Sequence, residues 1–247
     1  MLAMSVPRAT TTFVLVHGMS HGAFAWSLLS TRLEKKGHRV IAVDLPGHGR
    51  RAHERGRVSV GRYAAAVADA MKLAGAHDAV VLGHSMGGIV IPKVAELVPA
   101  RVRRLVFLAA VVLPSGASLF ETQLTPASRA LFRGLALAGG GAVQYPASME
   151  SARWMSDMPA GDPRVVETLV RLTPQPFAPW TERVDYRRFF AMRVPCTYIR
   201  CLRDQAVTPA RAADYAARLG VSPIDMDCAH NPMLSAPDEL ARILESL

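Results

Sequence analysis

"VVLGHSMGG", residues 80–88, decides how the chain is read. A β-branched apolar run ends at a glycine, one serine follows two positions later, and two more glycines open the apolar stretch "IVIPKVAEL". Gly83, Ser85 and Gly87 therefore form G-x-S-x-G between a strand signal and a helix signal. Such a strand-to-helix bend is too tight for side chains two positions either side of the serine, and its strain lifts the hydroxyl clear of the sheet. A serine that only caps a buried helix would leave the same local string. The rest of the chain has to separate the two.

Outward from this stretch, short β-branched runs alternate with Ala- and Leu-rich ones. "FVLVH" (13–17), "RVIAVDL" (39–45), "AVVLGH" (79–84), "RLVFLAAVV" (104–112), "CTYIRC" (196–201) and "PIDMD" (223–227) read as strands. Between them lie helical stretches that close on Gly37, Gly75 and Gly220, the expected stop signals. Strands that are apolar on both faces need cover on both faces. The sequence thus predicts an α/β fold: a mostly parallel sheet of about six strands flanked by helices.

The rhythm breaks between residues 114 and 193, where "PSGAS", "AGGGA", "MPAGDP" and "TPQPFAPW" punctuate short helical pieces. We read residues 1–113 and 194–247 as the core and 114–193 as a mostly helical cap inserted into it. The run Gly139, Gly140, Gly141 lacks the following Lys and Ser/Thr of a phosphate loop and reads as a turn.

With 247 residues, 50% of them hydrophobic and 20% charged, the chain can bury a sizeable core. No apolar run reaches the ~18 residues of a membrane span. The first 19 residues lack the basic, apolar and small-residue regions of a secretion signal, so a cytoplasmic location is expected. Cys196, Cys201 and Cys228 form no C-x-x-C pair, which argues against a disulfide framework or a zinc site. A net charge of +9 invites a nucleic-acid partner, but the basic residues are scattered and lack interleaved stacking aromatics. The expected partner is a small molecule, with no nucleic acid, membrane, metal or cofactor; a homodimer stays open.

A serine hydroxyl becomes a nucleophile only when a base takes its proton. Of eight histidines only His230, in "DCAHNPM", follows Ser85, behind the last strand signal. The imidazole needs a carboxylate to hold its tautomer. Asp204 stands a short loop after "CTYIRC", 26 residues before His230. Asp225 and Asp227 lie in the last strand, too near His230 to turn onto it, and Asp157, Asp162 and Asp185 belong to the cap. Developing negative charge on a carbonyl oxygen needs amide donors. The N–H of Met86, at a helix start, and that of Met19, behind the first strand, qualify. His17 and His21 are read as structural. Phe120, Leu124, Phe132, Met149, Trp154, Met155, Met158, Phe177 and Trp180 are candidates for an apolar pocket under the cap.

With these residues in hand, the chain resembles the α/β-hydrolase superfamily over essentially its whole length. "VLVHGMSHGAFAW", "AVDLPGHG", "VLGHSMGG" and "AHNPMLSAPDEL" are similar to the small esterases grouped with plant methylesterases and hydroxynitrile lyases. The resemblance implies an α/β-hydrolase fold, triad roles for Ser85, Asp204 and His230, and oxyanion roles for the Met19 and Met86 amides. The lyases resemble a version with threonine in place of Gly18 and lysine in place of Asn231, so hydrolysis is the expected reaction. Its expected substrate is a moderately hydrophobic carboxylic ester, a methyl ester or lactone included. Carbon–carbon bond hydrolysis, a natural-product tailoring step and a ligand-sensing receptor with little turnover are the alternatives.

Overall fold

The structure, a computed structural model, describes residues 10–247. The expectation drawn from the first 19 residues rests largely on positions 1–9, outside the described residues. The core strands are β1 (Thr12–Val16), β2 (Arg39–Val43), β3 (Ala79–His84) and β4 (Val102–Leu108). The short β5 (Ala142–Val143) and β6 (Gln175–Pro176) pair antiparallel as a separate ribbon, and β7 (Cys196–Cys201) and β8 (Ile224–Met226) return to the core. The six core strands form one sheet in the order β2-β1-β3-β4-β7-β8, and every pairing within it is parallel.

Alternation along each strand divides the core between the two faces. Phe13, Leu15, Val80, Leu82, Val106 and Leu108 pack into one buried cluster; Val14, Val16, Val81, Leu105 and Phe107 pack into the other. The first cluster is closed by α1 (Ser27–Lys35) and by the C-terminal α11 (Pro232–Ser235) and α12 (Pro237–Glu245), the second by α2 (Val60–Leu73), α3 (Gly87–Leu97) and α10 (Pro209–Arg218). Helix starts follow local chemistry: Ser59 accepts from the Arg62 amide, Thr125 from Ser128 and Thr208 from Arg211, the last two ahead of a proline at the first helical position.

Residues 114–193 hold α4 (Leu119–Gln123), α5 (Pro126–Ala138), α6 (Ala147–Trp154), α7 (Pro163–Arg171), α8 (Ala178–Thr181) and α9 (Arg187–Met192) around the β5–β6 ribbon. The end of this stretch is built into the core. The Tyr186 hydroxyl donates to the Ile89 carbonyl at 2.7 Å, and Phe189 joins the α2–α3 cluster.

One strand expectation is corrected. The run 104–112 leaves the sheet after Leu108: Ala109 takes φ +45°, and the Val111 amide instead bonds the Ser85 carbonyl at 3.0 Å. Continued pairing is given up because this backbone buttresses the bend at Ser85. Among the described residues no helix is long and apolar enough to cross a membrane. Many arginines are paired with carboxylates, among them Arg32 with Asp238, Arg51 with Glu54, Arg187 with Asp185 and Arg200 with Asp225.

Candidate active site

The order of the sheet reverses between β1 and β3, and open α/β sheets bind ligands beyond the strand ends at such a switch point. Ser85 sits there. It follows β3 directly and adopts φ +52°, a left-handed conformation that costs a non-glycine residue strain. The bend is held from both sides: the Ser85 amide donates to the Leu108 carbonyl at 3.1 Å, and the Ser85 carbonyl accepts from Gly88 and Val111.

The glycines around it are demanded by contact. A Cβ on Gly83 would lie 2.7 Å from the Gly87 carbonyl oxygen, and one on Gly87 would lie 2.8 Å from that of Val16. Gly88, which the sequence reading did not single out, is as constrained: a Cβ there would collide with the Val111 carbonyl oxygen and come within 2.9 Å of the Ala110 Cβ. Gly18 brings the loop behind β1 so close that its own Cβ would stand 2.9 Å from that of Ser85. A threonine does not fit there without displacement.

His230 Nε2 lies 2.9 Å from Ser85 Oγ, and His230 Nδ1 lies 2.7 Å from Asp204 Oδ2. The structure thus brings together the three side chains singled out from the sequence. The ring and its carboxylate partner are nearly sealed, His230 at 2% exposure and Asp204 at 4%. The second Asp204 oxygen, Oδ1, accepts the amides of Ala206 at 2.7 Å and Val207 at 2.9 Å. These bonds fix the carboxylate plane and leave Oδ2 to the imidazole.

The His230 loop is tied down along its length. Its carbonyl accepts from His84 Nε2 at 2.9 Å, the Ala229 amide donates to Asp157 Oδ2 at 2.8 Å, and the Asn231 amide donates to the Trp154 carbonyl at 3.1 Å. Asp157 and Trp154 belong to the 114–193 stretch, so that stretch helps to set the imidazole. Sequence spacing carries no signal for these anchors.

His17 and His21 make structural bonds, as expected. The His17 Nδ1–H donates to the Gly18 carbonyl while its Nε2 accepts the Leu45 amide; the His21 Nδ1–H donates to the Met19 carbonyl while its Nε2 accepts from Asn231 Nδ2. Burial holds His17 and His84 well below the usual imidazole range and lowers His21 to about 4. The rings around His230 are therefore neutral near pH 7, and none opposes positive charge on it.

Ser85 opens into a cavity of about 300 Å³ that Met19 and Met86 also line. Of the expected pocket residues, Leu124, Phe132, Met149, Trp154 and Trp180 reach its wall. Phe120, Met155, Met158 and Phe177 do not. Phe120 packs edge-on against Phe177 with ring centres 5.4 Å apart, and Met155 and Met158 fill a separate buried cluster with Trp154, Val165 and Leu172. Short helices give no periodic signal long enough to tell inward from outward faces. The wall also includes Gln123, Glu150, Arg153 and Arg211, polar residues for which the sequence offered no motif.

Comparison with known proteins gives concordant matches. A model of the alpha/beta hydrolase family matches residues 13–243. A putative chloroplastic methylesterase (number 13) of Arabidopsis thaliana is 28% identical over 95% of this chain and 55% of its own length. A carbendazim-hydrolyzing esterase of Nocardioides sp. is 38% identical over 43% of this chain and 45% of its own. The chain spans about half the length of these curated relatives or less. A solved extracellular alpha/beta-hydrolase from a Paenibacillus species, described as sharing structural and functional homology with tobacco salicylic acid binding protein 2, superposes with a TM-score of 0.86 at 26% identity, covering 96% of this chain and 98% of its own.

Proposed function

The chain belongs to the alpha/beta-hydrolase family, and on that premise we propose that it is a serine-dependent hydrolase of a moderately hydrophobic carboxylic ester. The observation that carries the reading is the continuous relay Ser85 Oγ, His230 Nε2, His230 Nδ1, Asp204 Oδ2 at 2.9 and 2.7 Å, opening on one cavity. In this mechanism His230 Nε2 takes the Ser85 proton as Oγ attacks the ester carbonyl carbon. The carbonyl oxygen gathers negative charge and is met by the Met19 and Met86 amides, the latter at the start of α3 where first-turn N–H groups lack helical partners. Collapse breaks the bond to the alkoxy oxygen, which leaves with the proton from His230. Water then gives a proton to His230, attacks the acyl carbon and releases the acid, and the proton returns to Ser85.

Asp204 holds Nδ1–H toward itself throughout, which leaves Nε2 bare for Ser85 in the resting state. Gly18 brings no hydroxyl and Asn231 no cation to the Ser85–His230 pair, which favours hydrolysis over cyanohydrin cleavage. The insertion, residues 114–193, acts as the cap that roofs the cavity. The thiols of Cys196, Cys201 and Cys228 are unpaired, which fits the reducing cytoplasm as the compartment we propose. The names of the relatives, methylesterases and a carbendazim-hydrolyzing esterase, support methyl esters as first substrates.

The test is hydrolysis of p-nitrophenyl butyrate and a set of aryl-substituted methyl esters. Wild-type protein turns over at least one series, and Ser85→Ala and His230→Ala lose more than about 10³-fold in kcat. Turnover that persists in Ser85→Ala overturns the proposal.

A further inference from the structure

Among the polar groups in the cavity wall, most are already committed to one another. Arg211 Nη1 donates to Gln123 Oε1 at 2.9 Å, Gln123 Nε2 donates to the Tyr215 hydroxyl at 2.7 Å, the Thr125 and Ser128 hydroxyls lie 3.0 Å apart, and Ser85 faces His230. Glu150 is different. It projects from α6 at 3% exposure, lines the same cavity as Ser85, and its Oε1 has no hydrogen-bond partner. A buried carboxyl oxygen without a partner costs stability, so a position that keeps one calls for a ligand to complete it. Leu124, Phe132, Met149 and Trp180 offer such a group only apolar surface, and although the Tyr145 hydroxyl and the Arg153 guanidinium also line the wall, neither is hydrogen-bonded to that oxygen.

We propose that Glu150 is a specificity-determining residue: it accepts a hydrogen bond from a hydroxyl or ammonium group carried by the substrate at a distance from the scissile ester. The substrate class narrows from a hydrophobic ester to a hydrophobic ester with one hydrogen-bond donor on its acyl or alkoxy arm. This rests on the ester-hydrolase reading above. Burial pushes the Glu150 carboxyl up to about 7, so above neutrality it is an anion with acceptor oxygens only, and its demand is for a donor. Ionised hydrogen bonds are the stronger kind, and burying the anion without one is the costlier error.

The experiment uses three stable methyl esters built on one skeleton, methyl 3-phenylpropanoate and its 4-hydroxy and 4-aminomethyl derivatives, with acid release followed at about pH 8. The readout is each derivative's kcat/KM divided by that of the unsubstituted ester. Wild type prefers both donor-bearing esters by about tenfold. In Glu150→Leu both ratios fall to about one, and because this variant replaces an unpaired buried carboxyl by an apolar group its melting temperature is not lowered. In Glu150→Gln the hydroxyl ratio is kept and the ammonium ratio is lost, a split that a merely structural role would not produce. Hydrolysis of the unsubstituted ester by wild type with ratios near one, or ratios unchanged in Glu150→Leu, overturns the inference while leaving the hydrolase reading standing. Absence of turnover on all three esters and on p-nitrophenyl butyrate overturns the hydrolase reading instead.

Discussion

Replacing Gly83 by alanine tests whether the bend at Ser85 depends on a side-chain-free corner. The added methyl would lie 2.7 Å from the Gly87 carbonyl oxygen, 2.8 Å from its carbon and 2.9 Å from Ile91 Cγ2. Only the last can rotate away. The first two are backbone of α3, so β3 and α3 must separate by about half an ångström in an interior packed as tightly as a crystal. Overpacking of this kind costs about 1–3 kcal/mol, or about 2–12 °C in melting temperature for a chain of this size. Ser85 rides on the displaced turn, so the 2.9 Å contact to His230 is disturbed with it. A 1 Å misplacement of reacting groups costs about 10²-fold, and half of it about tenfold, so kcat falls about ten- to a hundredfold while KM changes little. The assay is kcat and KM for p-nitrophenyl butyrate beside a thermal melt. Gly134, inside α5 with nothing within 4 Å of an added Cβ, is the control: Gly134→Ala stabilises by about 0.5–1 kcal/mol and leaves kcat alone. A Gly83→Ala protein with wild-type melting temperature and wild-type kcat would refute the reasoning.

Asp204→Asn keeps its oxygen on the Ala206 and Val207 amides and turns its NH₂ toward His230 Nδ1, which must then accept; Nε2 becomes protonated and cannot take the Ser85 proton. Steady-state kinetics then show kcat lower by on the order of 10⁴-fold with the fold intact by circular dichroism. Acid sensitivity follows from the buried histidines: His17, His21, His48 and His84 resist protonation when folded but titrate near 6.5 when unfolded. Stability is therefore full above pH 6.5 and is lost as pH falls below it, down to about 4 for His21, whose share is about 3 kcal/mol. Urea unfolding at pH 7.5 and 5.5 reads this as a lower midpoint at 5.5; equal midpoints contradict it.

The elbow and the parallel sheet were legible because each rests on local chemistry. G-x-S-x-G needs its glycines for contact reasons that hold wherever the bend occurs, and two-sided burial leaves an apolar run in every central strand. His230 was legible by elimination, and Asp204 by its place after the strand "CTYIRC". The end of β4 was not, because "LAAVV" is as apolar when it leaves the sheet to brace Ser85 as when it stays in it. Within residues 114–193, helices of four to thirteen residues pack on several sides at once. Phe120 and Phe132 are alike in the string and part only in three dimensions, one against Phe177 and the other on the cavity wall. Glu150 carried no motif, and its interest arises wholly from what fails to reach it.

The central claim is that His230 and Asp204 make the Ser85 oxygen a nucleophile, and covalent capture tests it most directly. On incubation with diethyl p-nitrophenyl phosphate, wild-type protein gains one diethylphosphoryl group, peptide mapping puts it on Ser85, Ser85→Ala takes up none, and His230→Ala reacts far more slowly. An adduct on another residue, or one that forms equally in Ser85→Ala, would contradict the account.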